Sequence, residues 1–370
     1  MLGILAYDIS TVRFTPLLEP PDCIPSARLS LPLTPNERWQ FLECRHGLAL
    51  LINRTHFELT VWDPVTGGQR CFAIPPDFVT LDARTAALLC DDSKRTFRVV
   101  LLRHDDVPED DGDAQVFASV YESESGVWGS LISASITAPI WLGKASILAG
   151  NSLCWWLRGR RSSGILEFDM DTQSLAVIDI PVDADVNSHS SFQILRMQDN
   201  RLGLAIVTDQ SIQLWMRKEG SGGVPRWMLQ KTVQLDNRLS LLVESKWLVI
   251  MGYDEDGHVI FIWTNIGVFM IQLESLQFRN LFKTNIINNY HPYTCFYTIQ
   301  AVALVAEMLE LEQYMVVRSA YWLLENGILQ PKKSNRRMQF HGLSCNSPLT
   351  SSRDVAFEHV NCGLVRFITC

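Results

Sequence analysis

Apolar runs and short polar loops alternate along most of the chain in a unit that occurs five times. Each unit has a continuous apolar run, a polar loop, a second run that ends in an aromatic or acidic residue, a turn and a third run. The five units cover residues 47–74, 98–132, 151–180, 201–235 and 258–282. Alternation of apolar and polar positions, as in FELTVW at 57–62, is typical of a half-buried strand, and the continuous runs are too short for an ordinary helix.

One aromatic or apolar residue marks the centre of each unit and sets the length of the repeat. These residues are Trp62, Tyr121, Phe168, Trp215 and Ile271. Their mean spacing of about 52 residues is close to the period of kelch-like propeller blades. The segments between units each supply a first strand, which gives four strands per unit. The pattern therefore predicts an all-β fold, a closed kelch-like β-propeller of about six four-stranded blades, with seven blades as the alternative.

The two ends of the chain depart from this unit. Residues 3–18 show a strand–turn–strand pattern that would fill part of one blade, completed by a strand from the far end of the repeats. Residues 299–324 are rich in Ala, Leu, Glu and Met, contain no Gly or Pro, and place apolar residues at helical spacing. The predicted domains are a propeller over 1–298, a helical extension over 299–326 and a loosely ordered tail over 327–370.

Composition and charge narrow the class of function. Hydrophobic residues make up 47% of the 370-residue chain, as expected of a folded protein with a sizeable core. The net charge of −8 argues against a general nucleic-acid binder, because phosphate binding is driven by Lys and Arg. No run of about eighteen apolar residues is present, and the N-terminus lacks the basic segment of a signal peptide. We therefore expect neither a membrane partner nor secretion.

The cysteines favour a reducing compartment. Their number, nine, is odd, and no C-x-x-C pair occurs, which excludes a zinc knuckle and disfavours a disulfide framework. A cluster of basic residues near the C-terminus resembles a weak nuclear-import patch, although clusters of this size are common in tails. The cluster consists of Lys332, Lys333, Arg336 and Arg337. We therefore expect a cytoplasmic or nuclear protein.

Motifs for catalysis are scarce. The sequence has no H-E-x-x-H, P-loop, G-x-S-x-G or G-x-G-x-x-G pattern. Cys44 and His46 would share one face of a strand, but no third residue is available to orient them, so a turn or packing role is favoured. The acidic loop 105–113 lacks the Glu that EF-hand spacing needs, so a solvated loop is favoured over a cation site. We expect no enzyme activity, no cofactor and no metal ion.

The strongest positional inference concerns the loops that join the second and third strands of each blade, because a propeller places them on one face. These loops differ in length and charge while the strands follow one pattern, a layout typical of a binding surface. Loops of opposite charge on one rim suit a shaped protein partner better than a uniform polyanion. The candidate partner-binding residues are Arg54, His56, Asp105, Asp106, Glu109, Asp110, Arg158, Arg160, Arg161, Asp209 and Asn265. Segment 158–161 could bind a phosphate or an acidic peptide, but an ordinary surface loop is favoured.

Six short motifs follow one another in a fixed order. They are CRHGL at 44–48, VWDPVTG at 61–67, GVW at 126–128, NSL at 151–153, ILEFD at 165–169 and YHPY at 290–293. In this order they resemble the F-box-associated β-propeller domain of plant F-box proteins, in its large grass-type branch, over residues 1–298. The resemblance implies a non-enzymatic protein-binding domain that recruits substrates to a Skp–cullin–F-box ubiquitin ligase. It implies no catalytic residue.

The segment before Gly47 departs from that family. Its members begin with an F-box, a helical segment with Leu-Pro near its start that binds the Skp adaptor, whereas the LPL sequence at 31–33 is followed by no helical pattern. We therefore expect an unknown protein substrate as partner, and Skp and cullin only if an F-box is supplied elsewhere. The alternatives are a truncated or regulatory relative not coupled to a ligase, and a propeller hydrolase, which would need carboxylates or histidines converging on the channel.

Overall fold

The computed structural model of the protein describes parts of the first of two compact units, residues 1–303. The described segments are 3–8, 11–17, 29–34, 36–79, 84–91, 96–106, 113–159, 163–181, 191–208, 211–219, 224–234, 248–283 and 290–293. The predicted helical extension over 299–326, the tail over 327–370 and the candidate nuclear-import patch lie outside these segments.

Strands make up most of the described segments. In chain order they are β1 (Gly3–Asp8), β2 (Thr11–Pro16), β3 (Leu31–Pro32), β4 (Trp39–Arg45), β5 (Leu48–Asn53), β6 (Glu58–Trp62), β7 (Gln69–Ala73), β8 (Arg84–Asp91), β9 (Thr96–His104), β10 (Ala114–Glu122), β11 (Val127–Trp128), β12 (Ile132–Ile136), β13 (Ile147–Ala149), β14 (Ser152–Arg158), β15 (Ser163–Asp169), β16 (Ser174–Asp179), β17 (Ser191–Arg196), β18 (Leu202–Val207), β19 (Ser211–Glu219), β20 (Pro225–Gln234), β21 (Val249–Asp254), β22 (Val259–Thr264), β23 (Gly267–Gln272), β24 (Phe278–Phe282) and β25 (Tyr290–Tyr293). A short 3-10 helix covers Pro76–Phe78, and none of the described residues lies in an α-helix. The same residues contain no helix long and apolar enough to cross a bilayer.

The strands form six antiparallel sheets, which we number as blades 1–6. Blade 1 has the order β25-β1-β2-β3, blade 2 β4-β5-β6-β7, blade 3 β8-β9-β10 with both β11 and β12 on β10, blade 4 β13-β14-β15-β16, blade 5 β17-β18-β19-β20 and blade 6 β21-β22-β23-β24. The fold is therefore an all-β propeller of six blades, the number that the count of repeated units favours over the alternative of seven. Blade 1 combines strands from both ends of the described chain, because β25 pairs with β1.

The first strand of each blade lies nearest the axis of the propeller. β4 contacts β8 and β25, β17 contacts β13 and β21, and β21 contacts β25. Because these contacts link first strands of different blades, they place the sheets around a common axis. The outermost strands contrast with them, since β20 is exposed along nearly its whole length. Closure of the ring and a kelch-like character of the blades stay predictions.

The residues that mark the repeat occupy equivalent positions. Trp62, Tyr121, Phe168, Trp215 and Ile271 lie in β6, β10, β15, β19 and β23, the third strands of blades 2–6, and all are buried. Aromatic contacts also cross between blades. Tyr121 stacks on Phe72 of blade 2 with ring centroids 4.0 Å apart, and Trp128 Nε1 donates to the Ala73 carbonyl oxygen at 2.9 Å. Large rings thus fill the space between sheets as well as within them.

Turns into the fourth strand show why Asp recurs at the end of the third strand. Asp63 Oδ1 accepts a hydrogen bond from the Val65 N–H at 2.9 Å, and Asp63 Oδ2 accepts one from Thr66 Oγ1 at 2.8 Å. Asp169 repeats the arrangement with Thr172, whose N–H and hydroxyl lower the pKa of the Asp169 carboxyl. These Asp side chains accept hydrogen bonds from backbone N–H groups of the turn and so stabilise it locally. A D-x-x-T motif therefore marks the turn in both blades.

Candidate functional site

Loops between second and third strands emerge on one face of the propeller, which we call the loop face. Each begins where the second strand of a blade ends, after β1, β5, β9, β14, β18 or β22. Because neighbouring strands in a blade are antiparallel, each first strand begins at this same end of its sheet. The connections between blades also run at this end, since each leads from a fourth strand to the next first strand. The topology therefore places the loops where the sequence predicts, and their role in binding stays a prediction.

The candidate binding residues are spread over different blades. Arg54 and His56 lie in the turn after β5, where His56 Nε2 is 3.2 Å from Glu37 Oε1. In blade 3 the Asp105 carboxylate forms an ion pair with Arg103 Nη1 at 3.0 Å. The exposed candidates also include Asp106, Arg158 and Asn265. The candidates outside the described residues are Glu109, Asp110, Arg160, Arg161 and Asp209.

A groove opens on the loop face where blades 4, 5 and 6 meet. The connection from blade 3 to blade 4 forms one side of it by running along β14. The Trp141 N–H donates to the Trp156 carbonyl oxygen at 2.7 Å, and the Arg158 N–H donates to the Pro139 carbonyl oxygen at 2.9 Å. The groove has a volume of about 370 Å³, within the range of ligand pockets. We call it the Trp141 groove, and its lining includes Trp141, Lys144, Trp156, Arg158, Phe192 and Ile250.

Trp141 and Arg158 present an aromatic ring and a cation together to solvent. Trp141 is 41% exposed, although Trp is highly buried on average. The Arg158 guanidinium carbon lies 4.8 Å from the Trp141 ring centroid, a cation–π contact that orients both side chains. Trp and Arg are among the residue types that most often dominate the binding energy of protein interfaces. The pair is therefore suited to contact a partner.

The buried part of the groove lining is apolar. Trp156 of β14 stacks on Phe192 of β17 with ring centroids 4.8 Å apart and an interplanar angle of 20°. Both rings belong to the hydrophobic core that blades 4, 5 and 6 share, so their positions are fixed by packing. Ile250 and Met251 of β21 add aliphatic surface. The groove therefore offers a rigid apolar surface beside an exposed cation.

Lys144 lies in the connection that precedes blade 4 and binds the first strands of blades 5 and 6. Its Nζ donates to the carbonyl oxygens of Phe192 at 2.5 Å and Ile250 at 3.3 Å. A third hydrogen bond runs from Nζ to Gln193 Oε1 at 3.1 Å. Burial lowers the pKa of Lys144 to about 7, with the positive charge of Arg158 as the second cause. The acceptors are neutral, so they hold the amine in place without compensating its charge.

Lys144 is expected to make the stability of the fold rise with pH. Its pKa of about 7 lies below the ordinary value of 10.5, so between these values the unfolded chain binds a proton that the folded chain lacks. The penalty for burying the charge is present below pH 7 and fades as the pH rises. In urea denaturation, the stability of the wild type should therefore increase relative to Lys144→Met between pH 7 and about pH 9.5. A constant difference between the two proteins would contradict this expectation.

A second cluster of charges lies on the axis of the propeller and joins four blades. Arg45 at the end of β4 donates to the carbonyl oxygens of Leu88 at 3.2 Å and Ser146 at 2.8 Å. The same guanidinium donates to Glu255 Oε1 at 2.7 Å. Glu43 accepts hydrogen bonds from the Leu88 N–H and from Ser146 Oγ, the latter at 2.6 Å. Blades 2, 3, 4 and 6 each contribute one or more of these groups.

The arrangement of the axial charges indicates a structural role. Burial raises the pKa of Glu43. Burial also opposes the charge of Arg45, but the Glu255 and Glu43 carboxylates outweigh it and raise the pKa of Arg45. The surrounding cavity of about 60 Å³ has room for a few water molecules, which is far below the size of a ligand pocket. Two carboxylates therefore do converge on the channel, but they bind a guanidinium rather than face open space.

Sequence reasoning missed the residues that build the groove and the axial cluster. Trp141 and Lys144 lie in a connection between blades, where the TAPIWLGK sequence carries them beside Pro and Gly. A large aromatic residue in such a turn-rich connection was an available signal. Glu43 and Arg45 stand two positions apart in a largely apolar strand, which places them on one face. That spacing was the available signal for a buried ion pair.

The structure corrects one prediction about the first strand of blade 2. β4 ends at Arg45, and His46 lies in the following turn with a φ of 52°. Since the backbone leaves the extended conformation there, Cys44 and His46 do not share a strand face. Gly47 has a φ of 77° and completes a two-residue turn of the kind that joins tight hairpins. His46 therefore has the turn role that the sequence favoured over catalysis.

Three solved structures are similar to the chain at 10–13% sequence identity. No curated protein matches the chain in sequence. A solved structure of a functionally unknown protein from Desulfotomaculum acetoxidans has a TM-score of 0.41 and 10% identity, covering 77% of this chain and 80% of that chain. An oligogalacturonate lyase from Vibrio parahaemolyticus has a TM-score of 0.39 and 10% identity, with coverage of 74% and 75%. The PQQ-bound aldose sugar dehydrogenase from Streptomyces coelicolor has a TM-score of 0.36 and 13% identity, with coverage of 66% and 81%.

One family of propeller domains matches most of the chain. Its description is F-box protein AT5G49610-like, beta-propeller, and the match covers residues 40–298. That segment begins within β4 and includes blades 2–6 and β25. It also contains all six motifs on which the resemblance rests. The chain therefore belongs to the F-box protein AT5G49610-like family of β-propellers.

Proposed function

We propose that the protein is a non-enzymatic interaction domain that binds a segment of another protein on its loop face. The observation that carries this proposal is the exposed pair of Trp141 and Arg158 beside an apolar groove. Membership in a family of F-box protein propellers supports a role in protein interaction. Rigid strands beneath the loops hold side chains that differ from blade to blade in fixed positions, as a binding surface requires.

The finer proposal is that the bound protein is a substrate for ubiquitination. The resemblance to plant F-box proteins supports it, and coupling to Skp and cullin then depends on an F-box supplied elsewhere. A regulatory relative that is not coupled to a ligase is the alternative. A closed ring of kelch-like blades belongs to the same proposal, supported by the pairing of β25 with β1 and by the contacts between first strands. We place the protein in the cytoplasm or nucleus.

Changing the charge of the loop face is expected to weaken partner binding. A variant that combines Asp106→Arg, Arg158→Glu and Asn265→Arg alters exposed positions in blades 3, 4 and 6. Loss of a desolvated charged contact should cost about 1–3 kcal/mol of binding free energy. The melting temperature should stay nearly unchanged, because exposed substitutions have little effect on stability. Affinity capture from plant extract, compared with the wild type and combined with thermal melts, measures both quantities.

A charge reversal away from the loop face serves as the matched control. Arg226 in β20 is exposed on the outermost strand of blade 5, so Arg226→Glu should capture partners as the wild type does. Wild-type capture by the loop-face variant would show that the loop face is not the binding surface. Loss of capture in the Arg226 variant alone would assign binding to the outer strand.

The chain alone is expected not to bind the Skp adaptor. The reason is that no F-box pattern is recognisable in the sequence before Gly47. Mixing the purified chain with purified Skp adaptor at micromolar concentration should give no complex in size-exclusion chromatography, while an F-box protein of known competence serves as the positive control. A stable complex would show that the segment before Gly47 contains an adaptor-binding element.

A further inference from the structure

We propose, resting on the function proposed above, that the Trp141 groove binds an extended peptide segment in which a carboxylate side chain lies next to a large apolar side chain. The carboxylate pairs with Arg158, and the apolar side chain packs against the stack of Trp156 and Phe192. This assignment names both the site on the loop face and the chemistry of the segment that the site recognises.

Charge selects an anionic ligand for this groove. Among the described residues of its lining, Arg158 is a cation, Lys144 is an amine that can be protonated, and none is a carboxylate. The chain as a whole carries a net charge of −8. A cationic groove on an acidic protein therefore gives a local potential opposite to that of the average surface, which favours an anionic group at this place.

Arg158 has the geometry to bind a carboxylate directly. Its guanidinium stacks on the Trp141 ring, with 4.8 Å between the guanidinium carbon and the ring centroid. Within the described segments, its side-chain N–H groups have neither an ion pair nor a hydrogen bond. A stacked guanidinium keeps the fork of N–H groups that matches a carboxylate in bidentate fashion. Arg158 is therefore the direct contact for the acid.

Lys144 supports the anion without contacting it. Its Nζ lies within hydrogen-bond distance of three acceptors, on Phe192, Gln193 and Ile250. A lysine side chain has at most three N–H groups, so none remains for a ligand. The nearby amine still adds positive potential in its protonated form, because its acceptors are neutral. Specificity for the carboxylate consequently depends on Arg158, and Lys144 is a fixed part of the groove lining.

The apolar part of the lining explains why the bound segment needs a large apolar side chain as well as a carboxylate. Trp156 and Phe192 form a fixed stack, and Ile250 and Met251 extend the apolar surface beside it. The volume of about 370 Å³ is at the small end of the range for ligand pockets, so side chains of an extended segment fit better than a folded surface. Burial of one large apolar side chain then supplies affinity, while the pair with Arg158 fixes the register.

A carboxylate is favoured over a phosphate because one guanidinium is available. Phosphate sites typically surround a dianion with several donors, and nucleic acids need many cations along a backbone. Here the Lys144 amine has no N–H left, and the other described lining residues besides Arg158 are apolar or glycine except for Ser191. The occupant is therefore a segment with Asp or Glu rather than a phosphorylated segment.

The test begins with a random dodecapeptide library displayed on phage and selected on the full chain. Enriched peptides are synthesised with a fluorescent label, and their Kd values are measured by anisotropy. We expect enriched sequences to place Asp or Glu beside Leu, Phe or Trp. Replacing that acid by Asn or Gln should weaken binding about tenfold or more.

Variants of the chain then assign binding to the groove. Arg158→Gln and Trp141→Ala should each weaken the selected peptides about tenfold or more, with unchanged melting temperatures. Arg226→Gln in β20 is the matched control, because it removes an exposed arginine outside the loop face, and it should bind as the wild type does. The single variants Asp106→Arg and Asn265→Arg report on the rest of the loop face.

Four results would overturn the assignment of this ligand. They are the absence of any enriched peptide, enrichment without an acidic residue, unchanged affinity for the Arg158 and Trp141 variants, and much tighter binding of a phosphoserine peptide than of its Glu counterpart. If selected peptides are lost only in the Asp106 or Asn265 variants, the groove is wrong and the loop face still binds. If every loop-face variant captures partners and peptides normally, the proposed function fails as well.

Discussion

Replacing Arg45 with alanine is expected to lower the free energy of unfolding by about 3–5 kcal/mol, because it removes one member of a buried charge cluster. Arg45 is 8% exposed and binds groups of three other blades. Without it, the carboxylates of Glu43 and Glu255 remain near the axis with no guanidinium between them. Urea denaturation followed by intrinsic tryptophan fluorescence measures the loss.

A surface arginine provides the control for this variant. Arg201 Nε is 2.9 Å from Asp199 Oδ2, and both side chains are about half exposed. Such exposed pairs contribute at most about 1 kcal/mol, so Arg201→Ala should stay close to the wild type. Equal stability of the Arg45 and Arg201 variants would mean that the axial cluster does not hold the blades together.

Replacing Trp62 with alanine is the second large effect, a loss of about 3–5 kcal/mol in the free energy of unfolding. Trp62 lies in β6, the third strand of blade 2, and is 2% exposed. Its removal leaves a cavity that the neighbouring strands cannot fill without distorting the sheet. The same denaturation experiment should show a lower urea midpoint with an unchanged slope.

Trp141→Ala is the matched control for the Trp62 variant, because it deletes the same side chain at an exposed site. We expect it to change stability by less than about 1 kcal/mol and to weaken peptide binding instead. The two variants should therefore separate the packing role of tryptophan from its binding role. Similar destabilisation in both would indicate that the Trp141 ring is part of the core.

The architecture was predictable because one buried position recurs in blades 2–6. The alternation of apolar and polar residues indicates which face of a strand is buried. It therefore identified Trp62 and Phe168 as buried strand residues, and both lie in third strands. The strand–turn–strand pattern in 3–18 likewise corresponds to β1 and β2 of blade 1. Local patterns of this kind repeat along the chain, so about six blades follow from the five units and the partial unit before them.

The groove and the axial cluster depend on contacts between distant parts of the chain. Arg45 and Glu255 are separated by 210 positions, and Lys144 and Ile250 by 106. No local pattern reports such a contact, because it is set by how the blades are arranged around the axis. The error at His46 has a different cause, since it depends on whether β4 ends one residue earlier or later.

Synthesis on the ribosome delivers the two parts of blade 1 at very different times. β1 emerges first, whereas its partner β25 emerges only after blades 2–6 have been translated. At about 5–20 residues per second, β1 waits roughly 15–60 s with one edge unpaired. An unpaired edge strand is a template for pairing with another chain. A nascent or truncated chain that lacks Tyr290–Tyr293 therefore retains an open edge on β1, at which another chain can pair.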